Sequence, residues 1–414
     1  MIPPKIIKHE YESGFKSEIV LKPHYNQKFF GIIVDFGSSD KQKLAGSAHF
    51  LEHKLFAKKD GDISHKFEEI GADVNAFTSF NETMFYCIGV KNTKKLIELL
   101  FELVGEPYFT KENVQKEAPI IQQELAMYQD EPNWKVSNTI MKSMFGDSNL
   151  GIDVAGTKES ISAITAKTLT KTYLQNYFAS NMRFIACGDF SDNQIKTIKQ
   201  TVNKLQKRYF EESKISESIS HPLGDMKSYS LKGSGNSNIF GIGIRLKNFK
   251  KVLASKDLAQ ILLEIMLESR LSVMTPWFEE MRSKGLISTP LQMSVNYTRQ
   301  GNFITIFGIS ENAPELILEI QKQLQKELNE ESLKFANQIF ELQKKEWQAQ
   351  SARGLDNLSY LAIELAEESL DNEDFFKNGR ELQTMNFDNY AKNCHEIMKD
   401  AEFCSAYLES AGEK

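Results

Sequence analysis

In this chain of 414 residues, the run His49-Phe50-Leu51-Glu52-His53 carries the side chains best suited to chemistry. On a helix, positions i, i+3 and i+4 share a face, so two imidazoles and a carboxylate would point at one spot. Two imidazoles one turn apart can chelate a single zinc ion, and a glutamate beside them can act on a water held there. The order His-x-x-Glu-His reverses the commoner His-Glu-x-x-His. The remaining histidines, His9, His24, His65, His221 and His395, have no partner at ligand spacing and are assigned no role.

Two histidines leave a zinc ion short of the usual three protein ligands plus water. The third is another histidine or an acid, and acids far outnumber histidines. The segment Lys116 to Glu124 stands out because Glu117 and Glu124, seven apart, share a helix face with Ile120 and Ile121 between them. Carboxylates flanking an apolar stripe fit a helix packed beside a buried metal. They fit a solvated face of an ordinary amphipathic helix as well, and spacing alone leaves both readings open.

The pair of histidines needs a helix of about three turns. Gly46-Ser47 offers a start, Lys54, Lys58 and Lys59 place cations at the far end, and Gly61 stops it. Around it, Glu18–Leu21 and Lys28–Phe36 read as strands. Asp62 caps a short helix ending at Gly71, and Val74–Thr78 and Thr83–Val90 form a pair of strands. Asn92 opens a helix with a Leu96, Leu99, Leu100, Leu103 stripe. Thr110–Asp130 is a long helix that Pro119 should kink or delay. Helices over Ile161–Asn176, a strand at Met182–Cys187 and a helix from Asp192 to Tyr209 complete this part.

The pattern then repeats. Ser237–Leu246 mirrors the Phe29–Phe36 strand, and a helix bearing Leu258, Ile261, Leu262, Ile265 and Met266 takes the place of the histidine helix. Gly301–Ser310 and a helix from Ala313 match Thr83–Val90 and its helix. Phe403–Leu408 matches Phe184–Ala186 as the closing strand. This is a duplicated α+β unit, with an N-terminal zinc-binding domain at 1–210, a linker at 211–224 and a C-terminal domain without a metal site at 225–414. Only the first copy carries the histidine–glutamate constellation.

Bulk composition is that of a soluble globular protein, with 41% hydrophobic and 26% charged residues. A net charge of −6 argues against nucleic acid or an anionic membrane surface as partner. The start is broken by prolines and lysines, unlike a signal peptide, and no stretch approaches a membrane span. Cys87, Cys187, Cys394 and Cys404 lack CxxC spacing and read as reduced thiols of a cytoplasmic chain.

His49 to His53 preceded by Gly46-Ser47-Ala48, together with Asn75-Ala76-Phe77-Thr78 and the Glu117–Glu124 stretch, resembles the pitrilysin, insulysin and mitochondrial processing peptidase family of inverted zinc peptidases. The likeness spans nearly the whole chain and is greatest to small bacterial two-subunit members. It implies two homologous halves, each a mostly antiparallel sheet with helices on one face, together forming half of a clamshell. It further implies one zinc ion per chain held by His49, His53 and Glu124, with Glu52 as general base and Glu117 orienting a ligand histidine. Asn75, Ala76, Phe77 and Thr78 would receive a peptide substrate as an added strand. Complete members carry an arginine and a tyrosine in the second copy. Here Arg282 is present, but Ser288 or Thr289 stands at the tyrosine place and Tyr297 belongs to the next strand. The resemblance therefore implies a related partner subunit that supplies the Arg/Tyr pair, and a zinc endopeptidase acting on short or unfolded peptides in an enclosed chamber. The alternative is a non-catalytic peptide-binding or scaffold subunit that retains zinc.

Overall fold

The computed structural model describes residues 3–210, 223–232, 238–327 and 329–409. Strands β1 (Lys5–Glu10), β2 (Lys16–Leu21) and β3 (Lys28–Val34) precede the two-residue β4 and β5 (Ala57–Lys58 and Gly61–Asp62), which pair only with each other. Next come β6 (Asp73–Thr78), β7 (Thr83–Gly89) and β8 (Met182–Gly188). Six of these form a sheet in the order β1-β2-β8-β3-β7-β6, antiparallel except where β2 meets β8. A second sheet holds β9 (Tyr229–Lys232), β10 (Ile239–Leu246), β11 (Gln292–Tyr297), β12 (Asn302–Ile309) and β13 (Glu402–Glu409). Its order is β11-β12-β10-β13-β9, and its only parallel pair is β13 with β9.

Read from the opposite edge, β9-β13-β10-β12-β11 repeats β2-β8-β3-β7-β6, including the position of the parallel pair. The duplication expected from the sequence is thus present in strand order and direction, with β1 added at one edge of the first copy. The fold is α+β, in two sheet-plus-helix halves.

The halves are not two contiguous stretches of chain. One unit draws its described residues from 3–125, 153–210 and 351–373; the other draws them from 126–152, 223–350 and 374–409. The expected boundaries at 210 and 225 miss this interlacing, in which each half gives a helix to the other unit. Most of the expected linker, 211–222, lies outside the described residues.

Burial gives the reason for the exchange. The central strands β3 and β10 are buried along almost their whole length, so both faces of each sheet need cover. In the second unit Phe240, Ile242 and Ile244 point into a core with Leu258 and Leu262 of the Lys256–Leu271 helix and Leu316 of the Ala313–Gln325 helix. That is the expected helix layer. The opposite face carries Gly241 and Gly243, where the exchanged helix Pro132–Phe145 lies on the strand. A Cβ built at Gly243 would stand 2.3 Å from Cγ2 of Ile140. In the first unit Phe101 of the Thr93–Gly105 helix meets Phe184 of β8 at 6.0 Å, and the exchanged helix Leu358–Asp371 packs on β3 and β8.

Gly243→Val tests the exchange. Valine is the better strand former, yet overpacking against Ile140 is expected to cost about 1–3 kcal/mol. The readout is a lowered denaturant midpoint followed by circular dichroism.

Candidate metal centre

The histidine helix runs Ser47–Phe56. Gly46 before it adopts φ 81°, and a Cβ there would lie 2.4 Å from the Ala155 carbonyl, so both conformation and space demand glycine. Its first turn is tied down by Gln42, whose Oε1 accepts from Ala48 N–H, and by the Ser47 hydroxyl on the Leu44 carbonyl. Phe50, Leu51 and Leu55 are fully buried. That anchoring leaves His49, Glu52 and His53 on the other side of the helix, partly open.

The helix ends at Phe56, before Gly61, which sits in the β4–β5 hairpin with φ 126°. Lys58 therefore does not serve its own helix. Its buried ammonium donates to the carbonyls of Leu103 and Glu106 at the end of the neighbouring helix, and burial pushes its pKa down to about 8.

The expected third ligand, Glu124, lies on the helix Lys111–Asp130, which passes through Pro119 without a delayed start. Pro119 and Gln115, whose carbonyl loses its partner, both lie on the exposed side, where water can replace the missing bond. Glu124 Oε2 lies 3.9 Å from His49 Nε2 and 3.7 Å from His53 Nε2. One donor atom from each of the three residues falls within 4.8 Å of the others, the one such cluster among the described residues. Tetrahedral zinc at about 2.0–2.2 Å from N and O donors sets donors roughly 3.3–3.6 Å apart. A small inward movement of these side chains meets that requirement. The donor set, two imidazoles and a carboxylate, suits zinc.

Neighbouring groups fix the ring of His53. Its Nδ1 faces Glu117 Oε1 at 3.3 Å, so the proton sits on Nδ1 and the Nε2 lone pair is turned toward Glu124. The other oxygen of Glu117 accepts from Lys54 Nζ at 2.9 Å. Burial raises the Glu117 pKa, but the hydrogen bonds from His53 and Lys54 outweigh it and hold the carboxyl below the usual glutamate value. For His53, burial lowers the pKa, while the Glu117 bond and the carboxylates of Glu52, Glu117 and Glu124 win and raise it. His49 behaves oppositely. Burial, reinforced by His53, pushes it down to about 4, and its buried Nδ1 has no hydrogen-bond partner among the described residues.

Glu52 accepts a 2.6 Å hydrogen bond from the hydroxyl of Thr78. Burial lifts its pKa, partly offset by that bond. Thr78 ends β6, whose outer edge is unpaired in the sheet. The expected substrate positions Asn75, Ala76, Phe77 and Thr78 thus form an edge strand whose last residue holds the expected base. The sequence pattern gave Lys54 only a place at the cationic end of the helix, and gave no sign of the Thr78–Glu52 bond. Lys54 had left a trace, since it falls on the buried stripe of Phe50, Leu51 and Leu55.

In the second unit Arg282 and the next tyrosine along the chain, Tyr297, are each engaged elsewhere. Arg282 is exposed and bonded to Glu279 on its own helix. The ring of Tyr297 lies 4.3 Å from the Lys256 ammonium and packs near Phe249. All four cysteines are buried and free. Among the described residues no helix is long and apolar enough to cross a membrane.

Comparison with known proteins agrees with this geometry. Residues 21–158 match the family model of insulinase (peptidase family M16), and residues 163–345 match that of the peptidase M16 inactive domain. The uncharacterized zinc protease YmfH of Bacillus subtilis is 30% identical over 331 residues, 76% of this chain and 77% of the relative. A second protein of that organism, the uncharacterized zinc protease YmxG, is 26% identical over 47% of this chain and 49% of its own length. Among solved structures, a putative M16-like peptidase from Alicyclobacillus acidocaldarius superposes with a TM-score of 0.87 at 21% identity, covering 99% of both chains. The periplasmic protease PqqL from Escherichia coli gives 0.76 at 18% identity, covering 99% of this chain but 48% of its own.

In the metal-free protein, His49 should stay neutral down to about pH 4 while His53 still holds its extra proton above pH 6.5. Proton–nitrogen NMR of the imidazoles reads both titrations. The raised value of His53 adds stability below pH 6.5 that is lost as pH climbs through its folded pKa. The depressed value of His49 removes stability as pH falls from 6.5 toward 4.

Proposed function

Because this chain belongs to the peptidase M16 (insulinase) family, we propose that it is a zinc-dependent endopeptidase using the centre on its Ser47–Phe56 helix. The observation that carries the proposal is the convergence of His49, His53 and Glu124 beside a glutamate held by Thr78. His49, His53 and Glu124 would hold one zinc ion per chain. Bound zinc would acidify a water and polarise the scissile carbonyl.

Glu52 takes a proton from the attacking water as its oxygen bonds to the carbonyl carbon. Glu52 then delivers that proton to the departing amine as the C–N bond breaks. Burial suits it to the first step, since a carboxylate whose pKa is lifted is a stronger base toward the attacking water than a solvated one. Thr78 holds one oxygen of Glu52 and so aims the other. Glu117 keeps His53 in the tautomer that offers Nε2.

The substrate class is peptide in extended form. The free edge of β6 offers main-chain groups to a strand of any sequence, which fits short or unfolded peptides. Since Arg282 and Tyr297 are engaged elsewhere, the reading includes a related subunit that brings an arginine and a tyrosine. This chain would then be the metal-bearing half of a clamshell heterodimer enclosing the substrate. Its match to 48% of the PqqL chain supports that reading, because the longer chain has room for two such halves. Four buried, unpaired cysteines suit a cytoplasmic setting.

The test is cleavage of a mixed peptide library by the chain alone and by the chain combined with the related subunit from its own source. Zinc-loaded material should cut, and a chelator should stop it. Glu52→Gln should lower turnover at least ~100-fold while leaving zinc bound. If the mixture cuts nothing that Glu52→Gln leaves intact, the chain is instead a peptide-binding or scaffold subunit that retains zinc.

A further inference from the structure

Lys54 follows the ligand His53 directly, and neither the metal nor the proposed proton transfers employ it. Its side chain is 5% exposed. A lysine that deep is costly unless its charge is met. Among the described residues its ion-pair partner is Glu117, at 2.9 Å through Oε2, while Oε1 of the same carboxylate faces His53 Nδ1 at 3.3 Å.

We infer that Lys54 is a positioning residue for the zinc site, acting through Glu117 to hold His53 in its liganding orientation. This inference rests on the zinc reading above and adds to it a residue outside the ligand and base set.

A carboxylate on a long side chain turns freely about its last bonds, and a hydrogen bond to one oxygen leaves that freedom largely intact. Clamping both oxygens from two directions removes it. Both donors come from consecutive residues of one helix, while Glu117 comes from another, so the clamp also sets the separation of the helices that supply the imidazoles and Glu124. Charge supports the same assignment. Glu52, Glu117 and Glu124 crowd one half-buried region, where one divalent cation leaves an excess negative charge that Lys54 balances. Being on the buried stripe, Lys54 reaches Glu117 from the protein side and leaves the ligand face free for metal and substrate.

The experiment is zinc affinity measured by chelator competition on the folded full chain, in a double-mutant cycle of Lys54→Met and Glu117→Gln. Loss of an outer partner typically costs 10–100-fold in metal affinity. Lys54→Met, which keeps the buried stem, should weaken zinc binding about ten-fold, and Lys54→Arg should restore most of it. In the Glu117→Gln background, Lys54→Met should add little. Unchanged affinity in Lys54→Met overturns the inference, as does an equal loss in both backgrounds, which would mean that Lys54 does not act through Glu117. Circular dichroism melts of the metal-free variants separate misfolding from weakened binding: loss of affinity only in step with unfolding also overturns it. Failure of the wild-type chain to bind zinc sinks the zinc reading itself, a result distinct from these.

Discussion

The carboxylate of Glu117, gripped by His53 on one oxygen and Lys54 on the other, joins the two helices that carry His49, His53 and Glu124. Everything at the site depends on those helices keeping their distance. Two imidazoles from one helix define only a direction. A third donor must arrive from elsewhere at a separation of under 4 Å, and it belongs to residue 124, seventy-one positions beyond His53. Packing alone tolerates small slides between helices. A charged clamp across the contact does not, because moving by 1 Å would leave a half-buried carboxylate or a buried ammonium unpaired.

The sheet supplies the remaining constraint. β3 and β7 are sealed in the core, and β6 is placed by its pairing with β7, Thr78 opposite Thr83. That register sets Thr78 beside the histidine helix, where its hydroxyl reaches Glu52. A shift of one residue would turn Thr78 to the other face of the sheet. Glu52 is thus aimed by strand register, and His49, His53 and Glu124 by a clamp between helices. These constraints are independent, which lets the two parts of the site be held separately.

Much of this was readable in the sequence, for a physical reason in each case. His49, Glu52 and His53 follow from helical periodicity, because their alignment is local. The strands Val74–Thr78 and Thr83–Val90, and the stripe of Leu96, Leu99, Leu100 and Leu103, follow from patterns that burial imposes directly. The ligand role expected of Glu124 came through resemblance, since spacing could not tell a ligand from a solvated acid. The exchanged helices Pro132–Phe145 and Leu358–Asp371 were not legible at all. An amphipathic helix declares that it packs on something, never on which sheet. Lys54 was legible and overlooked: a lysine on the stripe of Phe50, Leu51 and Leu55 requires a buried acid, and Glu117 was already in view.

The open edge of β6 raises a last question, how an unpaired strand next to the metal centre avoids pairing with another copy. Free edges are usually blunted by charge, brevity or cover. Here the strand is six residues long, with Asp73 and Asn75 exposed. In addition, the backbone N–H of Ala76 donates to the side chain of Asn75 at 2.8 Å. A donor that an arriving strand would use is therefore already engaged, by a group that can swing away. An incoming backbone must replace that bond with one of its own, so casual edge pairing gains little there. A peptide held at further points along its length would recover the cost, and the strand can discriminate between the two without any side-chain pocket.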